Sequence, residues 1–415
     1  WIDYLNLYGW CINWSILMIS YDYRKSIENI IDNHFAELWE MSEFIHANPE
    51  LAFEEFKAAK VQTDYLEKQG FAVERGVANL DTAFVATFVS GNGKPAIGIV
   101  SEYDALPIGH ACGHNLISIS AVGAALAVKK HLEKSGESCT LKVFGTPAEE
   151  AGGGKIIMLK EGVFEGTDAV LMMHPTSDIS RLAGECLSSM RIKVSFIGKS
   201  AHAGSHPEKG INALSAATLF LNGCGLLRQR FKGDARLSSV ITKGGETTGL
   251  IPEAAEVESS VSCFSLADLE NYTRMISDCA KGTALAMGCE VEITIKEGYQ
   301  GRIRNETLSN ICKEELAYLK EDLLPGLPID YGGEDLGNVS RVIPICNPYI
   351  TIFKDYKISN HTNQFKELAI SDSGKRCLEI SAKSMAMTAM RFVKEPQILQ
   401  KAKEELKMRL EKERG

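Results

Sequence analysis

The chain reads as an α/β protein, a sheet flanked by helices and interrupted by a compact α+β unit. Three observations carry that expectation. Apolar runs ("TAFVATFV", "AIGIVSEY", "LKVFGTP", "DAVLMMHP") are separated by helical patterns, and their near-continuous hydrophobicity is that of strands covered on both faces. Around Leu187 the strands become shorter and more alternating ("SSMRIKVSFIG", "SSVITKGG", "AAEVESSVSCF", "CEVEITIK"). The first pattern resumes near Glu306, with "PYITIF" and a long helix. A length of 415 residues fits two or three domains.

Taken in order, a helix runs from about Tyr23 with Ile27, Ile30, Ile31, Phe35, Leu38 and Met41 at helical spacing, ending near Asn48-Pro49. A second spans Glu54 to Gln69 and stops at Gly70. Further helices are expected over Leu116–Lys134, around Lys155–Glu161, over Gly210–Gln229, Leu266–Met287 and Leu368–Val393, and in the charged terminal stretch "EPQILQKAKEELKMRLEKERG". The expected division is 23–186 with 300–415 as one discontinuous domain and 187–299 as the insertion. Residues 1–22 are set apart as an apolar tail. They contain no Lys or Arg before Arg24 to form the basic start of a signal peptide, and Asn6, Gly9 and Asn13 interrupt a membrane span.

Composition narrows the function. Apolar content of 45%, charged content of 24% and a net charge of -9 are those of an ordinary globular chain with no basic stripe for nucleic acid. Eleven cysteines, odd in number and widely spaced, do not form the dense framework of a secreted scaffold. With no export signal, a reducing cytoplasm is the expected compartment, and a membrane partner is not.

Chemistry gathers where strands end. Cys112 and His114 follow "AIGIVSEYDALP", Glu149 and Glu150 follow "LKVFGTP", His174 follows "DAVLMM", and His361 lies in "KISNHTNQF" after "PYITIF". Singly, a histidine at a strand end is a common hydrogen-bonded structural residue and paired glutamates are a common solvated surface. Together, a thiol, imidazoles and carboxylates at strand termini form the donor set of a zinc-like transition metal. In "GHACGHN", Gly109 and Gly113 permit a turn that brings non-adjacent donors together, and the positive end of the following helix favours a Cys112 thiolate. In "EEAGGG", one carboxylate can bind metal while its neighbour handles protons. His110 reads as structural.

The ordered motifs "EYDALP", "GHACGHN", "GTPAEE", "GGGK", "MMHP", "GKSAHAGSHP", "GGEDLGNVS" and "NHTNQF" resemble the aminoacylase and carboxypeptidase metallohydrolases, metallopeptidase family twenty. The resemblance covers about Tyr23 to Arg409. It lies in the amidohydrolase branch that holds bacterial p-aminobenzoyl-glutamate hydrolase, plant auxin-conjugate amidohydrolases and the animal aminoacylase-like β-alanyl-lysine dipeptidase. It implies a two-domain di-metal exopeptidase-like fold, a mixed sheet flanked by helices with an inserted lid or dimerisation domain. It implies two divalent metal ions on Cys112, His114, Glu150, His174 and His361, with Glu149 as general base and then acid. The implied reaction is attack of metal-activated water on the amide of a dipeptide, an N-acyl amino acid or a related small molecule. Asp104 corresponds to an aspartate behind the metals and reads equally as a strand-end cap. His202, in the insertion, corresponds to a lid histidine that supports the oxyanion in the partner's site, which implies a homodimer; its plain alternative is a surface histidine in a Gly/Ser loop. Zinc suits thiolate and imidazole best, and manganese or cobalt fit the same donors.

Two positions depart from the pattern. Gly249 and Ser262 stand where relatives place an asparagine and an arginine that grip the substrate carboxylate, so the substrate either lacks a free carboxylate or is held elsewhere, for example by Arg274 or Lys243. A noncatalytic metal-binding relative with a scaffolding or regulatory role is the alternative function. A Cys112 nucleophile is disfavoured, because its thiolate is better committed to metal.

Overall fold

The computed structural model describes the backbone of residues 8–414 and the side chains of residues 23–413. The apolar opening, residues 1–22, lies outside these except for helical backbone from Tyr8. Contacts divide the chain into two units. The first runs to Gly184 and resumes over Ile303–Ile329 and Asn338–Glu411; the second is built from Glu185–Arg302 and Asp330–Gly337.

The first unit begins with α1 (Tyr8–Ala47), α2 (Phe56–Lys68), β1 (Ala72–Arg75), β2 (Phe84–Ser90) and β3 (Ala96–Glu102). It continues through α3 (His114–Ser135), β4 (Cys139–Thr146), α4 (Gly154–Lys160), β5 (Ala169–Leu171), β6 (His174–Thr176) and β7 (Arg181–Leu182). The second unit holds β8 (Ser188–Ile197), α5 (Ala213–Leu227), β9 (Arg236–Lys243), β10 (Ala254–Cys263), α6 (Leu266–Met287) and β11 (Glu290–Glu297). Next come α7 (Glu306–Tyr318), α8 (Leu336–Ser340), β12 (Ile345–Cys346), β13 (Pro348–Thr351), α9 (Asn363–Leu368), α10 (Asp372–Lys394) and α11 (Gln397–Arg414).

The main sheet has the order β1-β2-β4-β3-β5-β12 and is mixed. β3 runs parallel to β4 and β5, whereas β2 is antiparallel to β4. From β3 the chain moves to one side through α3 to reach β4, then to the other side of β3 to reach β5. That reversal opens a crevice at the carboxyl ends of these strands, where Glu102 and Thr146 sit at one level. β3 is buried at every position, as its unbroken apolar run requires. α3 is buried from His114 to Lys129, and its Ala, Gly and Ser residues let α1, α10 and β3 pack closely around it.

Two of the helix starts that differ from the expected ones have a clear local cause. α3 starts at His114 rather than Leu116, because Gly113 takes a left-handed conformation (φ 77°) and ends the loop abruptly. A Cβ at Gly113 would also lie 2.7 Å from the Pro175 ring. The helix expected from Leu368 starts instead at Asp372, since Ser371 is extended and its side chain accepts the Gly374 N–H, capping α10; Leu368 is the last residue of the separate α9.

In the second unit the sheet order is β11-β8-β10-β9, antiparallel throughout. Its inner face (Ile192, Val194 and Phe196 with Ala255, Val257 and Val261) packs on Phe220 of α5 and Tyr272 and Ile276 of α6. Its outer face carries charge, with Lys193 paired to Glu256 at 2.9 Å. The described cysteines are free thiols, most of them buried. No described helix is long and apolar enough to cross a membrane.

Candidate metal centre

Four loops at the crevice bring the donors together. The β3–α3 loop supplies Cys112 and ends at His114; the β4–α4 turn supplies Glu149 and Glu150. β6 opens with His174, and the segment before α9 supplies His361. His361 has a left-handed backbone (φ 61°), and its N–H donates to Ala111 O at 2.9 Å, tying it to the loop of Cys112. Three overlapping groups result, each with donor atoms within 4.8 Å of one another: Cys112, His114 and His174; Cys112, Glu150 and His361; His114, Glu149 and Glu150. The first two share Cys112, which is how neighbouring positions for two ions would meet. His110 is buried and belongs to none of these groups.

Polar partners orient the donors. His114 Nδ1 lies 2.8 Å from Asp104 O and 3.0 Å from Asp104 Oδ1, which directs Nε2 into the crevice. Asp104 Oδ2 accepts the Glu150 N–H at 2.9 Å, so one aspartate sets both the ring and the carboxylate turn. His174 Nδ1 faces Pro175 O at 2.8 Å and its Nε2 lies 3.5 Å from Cys112 Sγ. His361 Nε2 is 3.3 Å from Glu150 Oε1.

The donor electrostatics follow from this crowding. Burial opposes it, yet His174 and His114 pull the Cys112 thiol down to about 5. Against the same burial, Cys112 pushes His174 up to about 9, while Asp104 and Cys112 hold His114 well above the usual imidazole range. Cys112 and Glu150 push His361 up to about 10. A divalent cation among these donors would displace the imidazole protons and take over the pairing. The set fits a metal: the buried His114 Nε2 has no hydrogen-bond partner, and Glu150 Oε1 is met by another would-be ligand, His361 Nε2, at 3.3 Å.

Two groups in the crevice escaped the sequence reading. Lys155, fully buried, pairs with Glu102 Oε1 at 2.6 Å, and Glu102 Oε2 lies 3.8 Å from His114 Nε2. Lys155 thus offsets Glu102, leaving the remaining negative donors to face cations. The only sequence signal was their place in "EYDALP" and "GGGK".

In the second unit, His202 is exposed and its Nδ1 accepts the N–H groups of Gly204 and Ser205 at 3.2 Å each, which leaves the proton on Nε2. Gly249 O accepts the Ala203 N–H at 3.0 Å. Ser262 pairs across the strands with Arg236, so a guanidinium stands on the same face beside the position the sequence left without a cation. Arg236 donates through Nη1 to Gly233 O and Ala235 O and lies 5.0 Å from the Tyr331 ring. Arg274 contacts Asn271 on α6, and Lys243 ends β9.

Residues 99–385 match peptidase family M20/M25/M40. Xaa-Arg dipeptidase of Mus musculus is 35% identical over 407 residues, 94% of this chain and 93% of its own length. A p-aminobenzoyl-glutamate hydrolase polypeptide of Escherichia coli is 33% identical over 313 residues, 71% of this chain and 65% of its own. Among solved structures, a Bacillus subtilis dinuclear metal-binding peptidase of the M20 family superposes with a TM-score of 0.68 at 22% identity, covering 88% of this chain and 99% of that one. An aminobenzoyl-glutamate utilization protein of Klebsiella pneumoniae gives 0.67 at 16%, covering 88% and 98%.

Proposed function

Because the chain belongs to peptidase family M20/M25/M40, we propose that it hydrolyses amide bonds of small molecules, dipeptides and N-acyl amino acids, with two divalent metal ions held in the crevice of the first unit. The observation that carries this reading is the convergence of Cys112, His114, Glu150, His174 and His361 in overlapping donor groups, with Glu149 beside His114 and Glu150 and the buried His114 Nε2 left unpartnered. These five would hold the metals, zinc being favoured by the thiolate and imidazoles. When bound, the ions supply Lewis acidity toward water and the amide carbonyl.

Glu149 is the proton carrier. It is buried and belongs to the donor group of His114 and Glu150, so its carboxylate can take the proton from the attacking water and return it to the leaving amine. Asp104 holds His114 and the Glu150 backbone in register. The second unit serves as lid and dimerisation domain, and His202, with its Nε2–H outward, supports the oxyanion of the partner subunit in a homodimer. The compartment is the cytoplasm.

Substitution Glu149→Gln tests the assignment. Turnover should fall about 10²–10⁴-fold while metal content and oligomeric state persist; retained turnover, or the absence of any turnover in the wild type across dipeptides and N-acyl amino acids, would sink it and favour a noncatalytic metal-binding role. The curated mouse and human relatives are named for Xaa-Arg dipeptides, which makes these the first substrates to assay. Arg236 beside Ser262 supports a carboxylate anchor moved by one strand rather than lost. A peptide acid should therefore be preferred over its carboxamide, with the preference disappearing in Arg236→Met; equal rates on both in the wild type count against it.

A further inference from the structure

Glu149 sits between two residues whose backbone N–H groups are each held by a buried carboxylate. The Glu150 N–H goes to Asp104, and the Ala148 N–H goes to Glu55 Oε1 at 2.9 Å, across 93 residues of sequence. Glu55 occupies the N-cap position of α2, yet its side chain makes no capping hydrogen bond there. It turns inward instead. Oε1 also accepts the Phe53 N–H at 2.9 Å, and Oε2 accepts the Thr82 hydroxyl at 2.8 Å. The Thr82 carbonyl in turn accepts the Tyr103 hydroxyl at 2.6 Å.

The residue being held is strained. Ala148 has φ 60°, a left-handed conformation that side chains other than glycine rarely adopt. Its carbonyl accepts the N–H groups of both Gly152 and Gly153, at 2.9 and 2.7 Å, and its own N–H is held by Glu55. Phe53 packs from the same side, since a Cβ at Gly152 would lie 2.3 Å from its ring. Glu55 itself is fully buried and has no ion-pair partner among the described residues, so the cost of burying it is offset by its three acceptor contacts, one of them to Ala148.

We propose that Glu55 is a positioning residue for hydrolysis: by holding the Ala148 N–H it fixes the turn that aims Glu149 at the reacting centre. This rests on the assignment of Glu149 as the base. The contacts require reach and acceptor oxygens rather than charge. A glutamine at this place keeps both, its carbonyl accepting from Phe53 and Ala148 and its amide donating to the Thr82 hydroxyl, which can rotate to accept. An aspartate keeps the charge but is one methylene too short.

The test compares Glu55→Asp, Glu55→Gln and Glu149→Gln in the full-length, metal-loaded protein, on the dipeptide or N-acyl amino acid that the wild type turns over fastest. Glu55→Asp should lower kcat about 10–100-fold with KM held within about threefold and metal content unchanged, and Glu55→Gln should recover most of that loss. Three results overturn the inference: wild-type kcat in Glu55→Asp, Glu55→Gln as slow as Glu55→Asp, or a Glu55→Asp defect confined to thermal stability. Turnover lost in Glu149→Gln but kept in Glu55→Asp removes this inference alone; turnover kept in Glu149→Gln removes the base assignment and this inference with it. Should Glu55→Asp fail to accumulate folded, Thr82→Val releases Oε2 and should lower kcat about 3–10-fold at constant KM, and no loss there overturns the inference.

Discussion

Two buried polar clusters in the first unit make an instructive pair. Between α1, α7 and α10, the Glu315 carboxylate accepts from Tyr23 Oη at 2.9 Å, from Arg24 Nε and Nη2 at 2.7 and 2.9 Å, and from Arg391 Nη1 at 3.3 Å. That cluster is closed: each oxygen has its donors, and burial with the Glu315 charge keeps the Tyr23 hydroxyl from ionising. At the carboxyl ends of β3, β4 and β5, equally buried groups are arranged differently, and His114 Nε2 and Glu150 Oε1 face one another's neighbourhood without a hydrogen bond. An interior that leaves polar atoms unpaired is unstable unless something binds there. Unpartnered buried atoms occur elsewhere too, at His110, Asn115 and Thr167; what marks the functional cluster is that its open atoms belong to thiol, imidazole and carboxylate donors converging within 4.8 Å.

The largest effect that would sharpen this contrast is on the closed side. Glu315→Ala leaves the buried Tyr23 hydroxyl and the half-buried Arg24 without their acceptor, while Arg391 keeps Glu314 and Glu395, so a loss of about 3 kcal/mol is expected in denaturant unfolding, with metal content and kcat unchanged in the folded protein. A loss of metal instead would mean the clusters are coupled and the contrast false. Next in size is the response to metal. Adding zinc at about a hundred times its dissociation constant should stabilise the chelated wild type by about 2.7 kcal/mol in thermal unfolding. The same stabilisation should persist in Glu315→Ala and largely vanish in His114→Ala. An equal response in all three would show that the open cluster is not where the ion binds.

How far sequence alone reaches depends on where a residue's partners lie. Cys112 and His114 were legible because their glycines and spacing are local, and Glu149, Glu150, His174 and His361 because each follows an apolar run whose end marks one rim of a sheet. Glu55 was not. It reads as an ordinary first-turn acid, and only the folded chain brings Ala148 to it. Lys155 likewise reads as a solvated helix residue until α4 turns it against Glu102. The Leu368–Val393 pattern concealed the Ser371 cap because apolar spacing continues across it, and the Ser262 position looked bare because Arg236 arrives from the neighbouring strand. Local chemistry is written in spacing; long-range satisfaction is written only in register and packing.

The smallest expected effect lies at the solvent edge of the closed cluster, where Lys394 lies 5.7 Å from the Tyr23 ring and reaches Glu137 at 2.6 Å. His131, with Lys394 and the Ser135 hydroxyl, holds the Glu137 carboxyl down at about 2, against partial burial. A carboxyl depressed in the folded state stabilises it fully above the ordinary value near 4.5, and that contribution drains away as pH falls from there towards 2. Because Glu137 is partly exposed, solvent screening reduces the contribution to about 1 kcal/mol. Urea unfolding at pH 7 and at pH 3.5, roughly midway through that window, should show a smaller pH-dependent loss in Glu137→Gln than in the wild type by about half that amount. An identical loss in both would place the acid sensitivity elsewhere, with the carboxylates of the open cluster, which lose their hold on imidazolium or metal as they protonate, as the next place to look.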